Sequence, residues 1–199
     1  VINNPIINVD PGGDTLRGVN QRSANRALSI IRSTFSSVSI ARSLFNLGND
    51  GVTFNSISNE NFYKALNGLS ADEAALLLGY AIAINGSETN VVEVVKRSES
   101  LSEYGQDVVG FAKTGFDLDK NAGGGYTGQA KYEPGIVNRG ADGAYVSIVM
   151  DSHAELSSYS DGIKRSSLPG ELLAHELLGH GIGSRYGKSE KGIDEAISI

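Results

Sequence analysis

From about Asn20 to Leu47 apolar residues return every three or four positions, at Ala24, Leu28, Ile31, Phe35, Val38, Ile40 and Leu44. That spacing predicts a helical stretch, which Gly48-Asn49-Asp50-Gly51 ends. The many Ser and Thr residues inside it work against a long continuous helix. A short helix over Asn59–Leu66 and a stronger one over Ala71–Ile84 follow, the second with Ser70 as N-cap, Asp72-Glu73 at its positive end and Asn85-Gly86 as its stop. The β-branched run Asn90–Val95 predicts a strand, while Gln106–Lys113 fits either helix or strand. Between Lys120 and Gly143 glycine is frequent and Tyr126–Tyr132 alternates only weakly, with a turn at Glu133-Pro134-Gly135. Gly123-Gly124-Gly125 reads there as a flexible loop, because no Lys-Ser/Thr pair follows to make a phosphate loop of it. Tyr145–Met150 is the clearest strand pattern. Ser167–His180 is helical again, with Pro169 near its first position, Ser166 or Ser167 as cap, and Leu172, Leu173, Leu177 and Leu178 as its buried face. Helices, then strands, then a last helix predict a mixed α+β domain with a small mixed sheet.

Composition narrows the function classes. With 199 residues, 40% of them hydrophobic, the chain can bury one substantial core. A formal charge of −6 with scattered basic residues argues against a nucleic-acid partner, whose phosphates demand clustered Lys and Arg. The longest apolar run, Ala74–Ile84, is far short of the ~18 residues of a membrane-spanning helix, so no membrane role is expected. Cysteine is absent, which removes thiolate ligands, thiol nucleophiles and disulfides together. Residues 1–14 are an irregular segment punctuated by Asn3-Asn4-Pro5 and Asp10-Pro11-Gly12-Gly13, without the features of a signal peptide. The chain opens on Val1 and is expected to belong to a longer one.

The chemistry concentrates on the last predicted helix. His175, Glu176 and His180 lie within six residues, and only one other histidine, His153, exists. Neutral imidazoles suit Zn²⁺, and a carboxylate next to the first of them is placed to take a proton from water activated by the metal, the logic of H-E-x-x-H. Two neighbouring histidines are ordinarily core or capping residues. Their place around Glu176 on a capped apolar helix selects metal binding instead. The usual spacing of the two is four, however, and here Gly179 makes it five. On a regular α-helix a step of four turns a side chain by ~40° and a step of five by ~140°, which would part the imidazoles. A one-residue π-bulge at Gly179 is expected to return them to one face. His153, just after the Tyr145–Met150 strand, is expected to be a turn residue. That strand is a candidate sheet edge for pairing with an extended peptide, and Arg185 or Tyr186 is a candidate to stabilise an oxyanion.

His175-Glu176-Leu177-Leu178-Gly179-His180 resembles the zinc motif of the dipeptidyl peptidase III family, in which the extra glycine is accommodated and both histidines bind the metal. The likeness spans six residues. It implies a third ligand from a glutamate on a following helix, with Glu195 as first choice and Glu190 as second.

At the other end, Asn3-Asn4-Pro5-Ile6-Ile7-Asn8-Val9-Asp10-Pro11-Gly12-Gly13 resembles the closing stretch of an RHS (YD-repeat) core, which reads N-N-P-I-N and then D-P-x-G. In that family this stretch ends a β-cage shell, and the polypeptide after it is a toxin released by self-cleavage nearby, with Asp10 matching an Asp of the cleavage region. The resemblance implies a boundary: residues 1–13 close the core, and residues 14–199 are a zincin-like metallopeptidase toxin domain. It also implies secretion or delivery into a target cell, a target-cell protein as substrate, the RHS core shell as container and an immunity protein as neutralising partner. The sequence therefore leads to a zinc-dependent endopeptidase in which His175, His180 and Glu195 hold Zn²⁺ and Glu176 activates water. Two rivals stand beside it: a metal-free zincin-like fold that acts as a binding module, and a zinc hydrolase of a non-protein substrate.

Overall fold

The computed structural model describes residues 16–35, 37–137, 143–156, 165–166 and 168–183. In chain order these form β1 (Leu16–Gly18), α1 (Gln21–Thr34), α2 (Ser39–Ser43), α3 (Asn59–Leu66), α4 (Ala71–Asn85), β2 (Asn90–Val95), α5 (Glu103–Val109), α6 (Gly115–Ala122), β3 (Gly125–Gln129), β4 (Ala144–Val149), the short β5 (Glu155–Leu156) and β6 (Arg165–Ser166), and α7 (Pro169–Ala174), which continues as a π-helical segment over His175–Ile182. The domain is mixed α+β, as the order of hydrophobic patterns predicts. Among the described residues no helix is long and apolar enough to cross a membrane.

Local chemistry accounts for most of the boundaries. The Asn20 side chain accepts the Ser23 N–H to start α1. The helix stops at Phe35, and the predicted helical run to Leu47 is broken into α1 and the single-turn α2, since Ser and Thr compete for backbone partners. Ser70 and Glu73 close a reciprocal capping box on α4, an arrangement worth about 1 kcal/mol. The stretch Gln106–Lys113, ambiguous by pattern, contains the end of α5, which the left-handed Gly110 terminates. The Gly123–Gly125 run is not a flexible loop: Gly123 is the left-handed C-cap of α6 (φ 63°), and Gly125 is the first residue of β3. The N-cap of α7 is Leu168, where the sequence predicts Ser166 or Ser167. Pro169 fixes the first helical residue, and the Leu168 N–H donates to the Glu171 carboxylate at 2.9 Å.

Four strands make one sheet in the order β1-β2-β4-β3, with β1, β2 and β4 parallel and β3 antiparallel to β4. Every residue of β2 and β4 is buried, as expected of strands covered on both faces. Val92, Val94, Ala144, Val146 and Ile148 face α1, α4 and α7, in a core completed by Phe35, Phe45 and Tyr80. Val91, Val95, Tyr145 and Val149 face α5 and α6. On that second face Glu93 is buried, where desolvation pushes its carboxyl up while it accepts the Tyr145 hydroxyl at 2.6 Å and the Ser102 N–H at 2.6 Å. The predicted edge strand Tyr145–Met150 is therefore interior: β4 lies between β2 and β3, and among the described strands the edges are β1 and β3. An apolar run does not distinguish the two places, because burial on both faces says nothing about lateral neighbours.

Candidate metal centre

Three elements converge on the site. Leu172, Leu173 and Leu177 anchor α7 and its π-helical continuation in the core. Leu178 packs against α4, where Gly79 leaves room for it: a Cβ there would stand 2.8 Å from Leu178 Cδ1. Gly181 lies against Ala144 on β4, where a Cβ added to the glycine would stand 3.1 Å from the alanine methyl. The segment is thus held between α4 and the sheet.

Its hydrogen-bond repeat decides the geometry of the ligands. In a π-helix backbone bonds close over i→i+5, so residues five apart stand where residues four apart stand on an α-helix. The structure widens the helix over His175–Ile182, a longer stretch than the one-residue bulge that the spacing predicts, and the consequence is the same. His175 Nε2 and His180 Nε2 are 2.9 Å apart, with the two rings nearly perpendicular at 82°. No thiolate competes, since the chain has no cysteine.

Glu176 completes a cluster: one ligand atom from each of His175, Glu176 and His180 lies within 4.8 Å of the others. These residues fit a metal ion on two grounds. The two Nε2 atoms are in hydrogen-bond contact at 2.9 Å, and nitrogens ~2.0–2.1 Å from one tetrahedral Zn²⁺ stand ~3.3–3.4 Å apart, so an opening of about a few tenths of an ångström would admit the ion. Glu176 is also only 7% exposed, and a dication held on the imidazoles would favour its charged form there.

No family model, curated protein or solved structure matches this chain. What the site can do is therefore read from its own residues. Glu176 is met by β3, whose side chains alternate across the sheet: Gly125, Thr127 and Gln129 point towards the π-helical segment, opposite Ile148, Val146 and Ala144, while Tyr126 points away and packs edge-on against Phe111. The Thr127 hydroxyl lies 2.5 Å from Glu176 Oε2 and 3.0 Å from the Glu176 carbonyl oxygen. A cleft of about 530 Å³ opens above, lined by β3, Gly143, Ala144, Glu176, His180 and Gly181. The hydrophobic pattern misses Gly125 and Thr127, for which the weak alternation after Gly125 is the only signal.

His153 is exposed in the segment after β4, two residues beyond the turn at Met150-Asp151 and not in it, and takes no part in the cluster. Its backbone N–H donates to Asp119 at 3.1 Å. Arg185, Tyr186, Glu190 and Glu195 lie outside the described residues, as does the segment 1–13 that resembles an RHS core.

Proposed function

We propose that this chain is a zinc-dependent endopeptidase that acts as a toxin delivered into a target cell, where it cleaves a protein. The observation that carries the reading is the meeting of His175 and His180 across a widened helical turn, with the buried Glu176 carboxylate beside them. Zinc is favoured because both donors are imidazoles and a carboxylate stands beside the first of them, the arrangement of the H-E-x-x-H peptidases. Glu195, or failing it Glu190, supplies the third ligand. A bound Zn²⁺ would provide Lewis acidity towards a carbonyl oxygen and make nearby water more acidic.

The chain's own groups do the rest. His175 and His180 hold the ion. Glu176 accepts the proton of the attacking water and returns it to the leaving amine. An extended peptide pairs with β3, the edge strand that lines the cleft, so that main-chain hydrogen bonds give affinity and the scissile carbonyl lies over the cluster. Arg185 or Tyr186 steadies the oxyanion. The RHS core shell and an immunity protein belong to the same proposal, on the resemblance of residues 3–13.

Glu176→Gln tests the reading, because it keeps the shape of the side chain and removes the base. The variant is expected to retain about one zinc per chain by elemental analysis and to lose cleavage by roughly 10²–10⁴-fold, the usual contribution of a general base. Cleavage is measured as new protein termini in target-cell lysate. A Glu176→Gln variant as toxic as the unaltered chain overturns the peptidase. Zinc well below one per chain favours the binding module, and bound zinc with no new termini favours a non-protein substrate.

A further inference from the structure

The strand that walls the cleft also holds its carboxylate. Thr127 and Gly125 are two apart on β3 and so share the face turned to the π-helical segment. The Thr127 hydroxyl reaches both ends of one residue, the carboxylate Oε2 of Glu176 at 2.5 Å and its carbonyl oxygen at 3.0 Å. Position and orientation of Glu176 are thereby referred to a single atom of the neighbouring strand. A β-branched residue has few χ1 choices, so this hydroxyl is aimed before Glu176 arrives. Gly125 makes the approach feasible: a Cβ there would stand 2.5 Å from Glu176 Oε1, 2.7 Å from its Cγ and 2.9 Å from its Cδ, closer than real contacts allow. Strand and carboxylate touch because one side chain is missing and the next one but one is a hydroxyl.

We propose that Thr127 is the positioning residue of Glu176, fixing its carboxylate over the cleft through the hydroxyl, and that Gly125 is the complementary position that admits it. The same strand is the edge on which the peptide is proposed to pair, so substrate and base are located from one element. A one-ångström misplacement of a reacting group can cost about 10²-fold in rate. For its kinetic consequence the assignment rests on the peptidase reading; for the placement of the carboxylate it does not.

The test compares Thr127→Val, which keeps the shape and removes the donor, with Thr127→Ser, which keeps the donor. Thr127→Ala is carried in parallel in case the valine does not fold. Crystals of each protein soaked in zinc give the first readout. The Glu176 carboxylate is expected to leave its place against Gly125 in the valine or alanine protein and to keep it in the serine protein, with His175 and His180 unmoved. Fluorescein-labelled casein gives the second. The valine protein is expected to lose about 10²-fold in kcat with KM within about threefold, and serine is expected to restore most of the loss. A carboxylate that stays in place without the hydroxyl overturns the proposal, as does an equal loss in the valine and serine proteins. Casein left intact by the unaltered chain counts against the peptidase instead, and the crystals still decide the role of Thr127.

Discussion

Of the two imidazoles, each supplies one nitrogen from the same stretch of helix, so removing either leaves the other alone on that turn. His180→Ala is expected to weaken zinc binding by more than about 100-fold, beyond the 10–100-fold that follows from losing a mere outer partner of a ligand. Competition with a chromogenic chelator measures it, and an affinity unchanged by the substitution removes His180 from the site. At this scale the sequence is highly legible for one kind of residue. His175, Glu176 and His180 announce themselves because rare, chemically capable side chains crowd into six positions. Thr127 and Gly125 do not, being common residue types 49 or more positions from Glu176 in the chain, whose importance arises only from a tertiary contact. A glycine that matters through the methyl it lacks leaves little trace in a pattern of polar and apolar positions.

The five-residue step between the ligands predicts a local widening of their helix, and the structure extends that widening over His175–Ile182. Deleting Gly179 tests what the widening is for. The deletion produces a four-residue spacing, for which an ordinary α-helix already brings the imidazoles within ~40° of each other. Zinc is expected to be retained. His180 keeps its face because removing the extra residue relieves the widening, and by the same geometry Ile182, 7% exposed, stays in the core. Stability is expected to change by less than about 1 kcal/mol, well short of the ~2–5 kcal/mol that follows the loss of a buried aliphatic side chain, and urea unfolding measures it. A folded deletion protein that has lost its metal would mean that the π geometry shapes the site itself and is not an accommodation of one extra residue. Other elements divide along the same physical line. Ser70 and Asn20 mark helix starts through their own hydrogen bonds, so α4 and the start of α1 are readable. The three-residue β1 and the glycine-containing β3 owe their strand character to their neighbours, and sheet position is unreadable for β4 because interior strands and covered edges have the same composition.

Across the molecule, charge ties the helical layer to the loop that follows β2. Arg26 on α1 donates to both Glu99 oxygens, one of them at 2.8 Å, and the Lys96 N–H adds a third bond at 2.9 Å. The Arg26 hydrogen bonds, offset in part by desolvation, hold the Glu99 carboxyl down from about 4.5 to about 2. A depressed carboxylate contributes stability that is fully present above its unfolded pKa and is lost as pH falls through the folded one. Glu99→Gln is expected to cost about 1–2 kcal/mol at pH 7, less than the shift alone implies because water screens a partly exposed pair. That difference is expected to close between about pH 4.5 and pH 2, and unfolding of both proteins across that interval checks it. A gap that persists at pH 2 assigns the loss to packing.

The order of strands in space has a kinetic corollary. Ala144–Val149 sits between β2 and β3 but leaves the ribosome, or any pore crossed amino end first, after both of them. Until it arrives, Gly125–Gln129 has no lateral neighbour in the sheet, and the histidines are still further behind. A chain caught midway through synthesis or translocation thus has neither the finished strand pairing nor the two imidazoles, and the candidate metal site exists only once His180 has emerged.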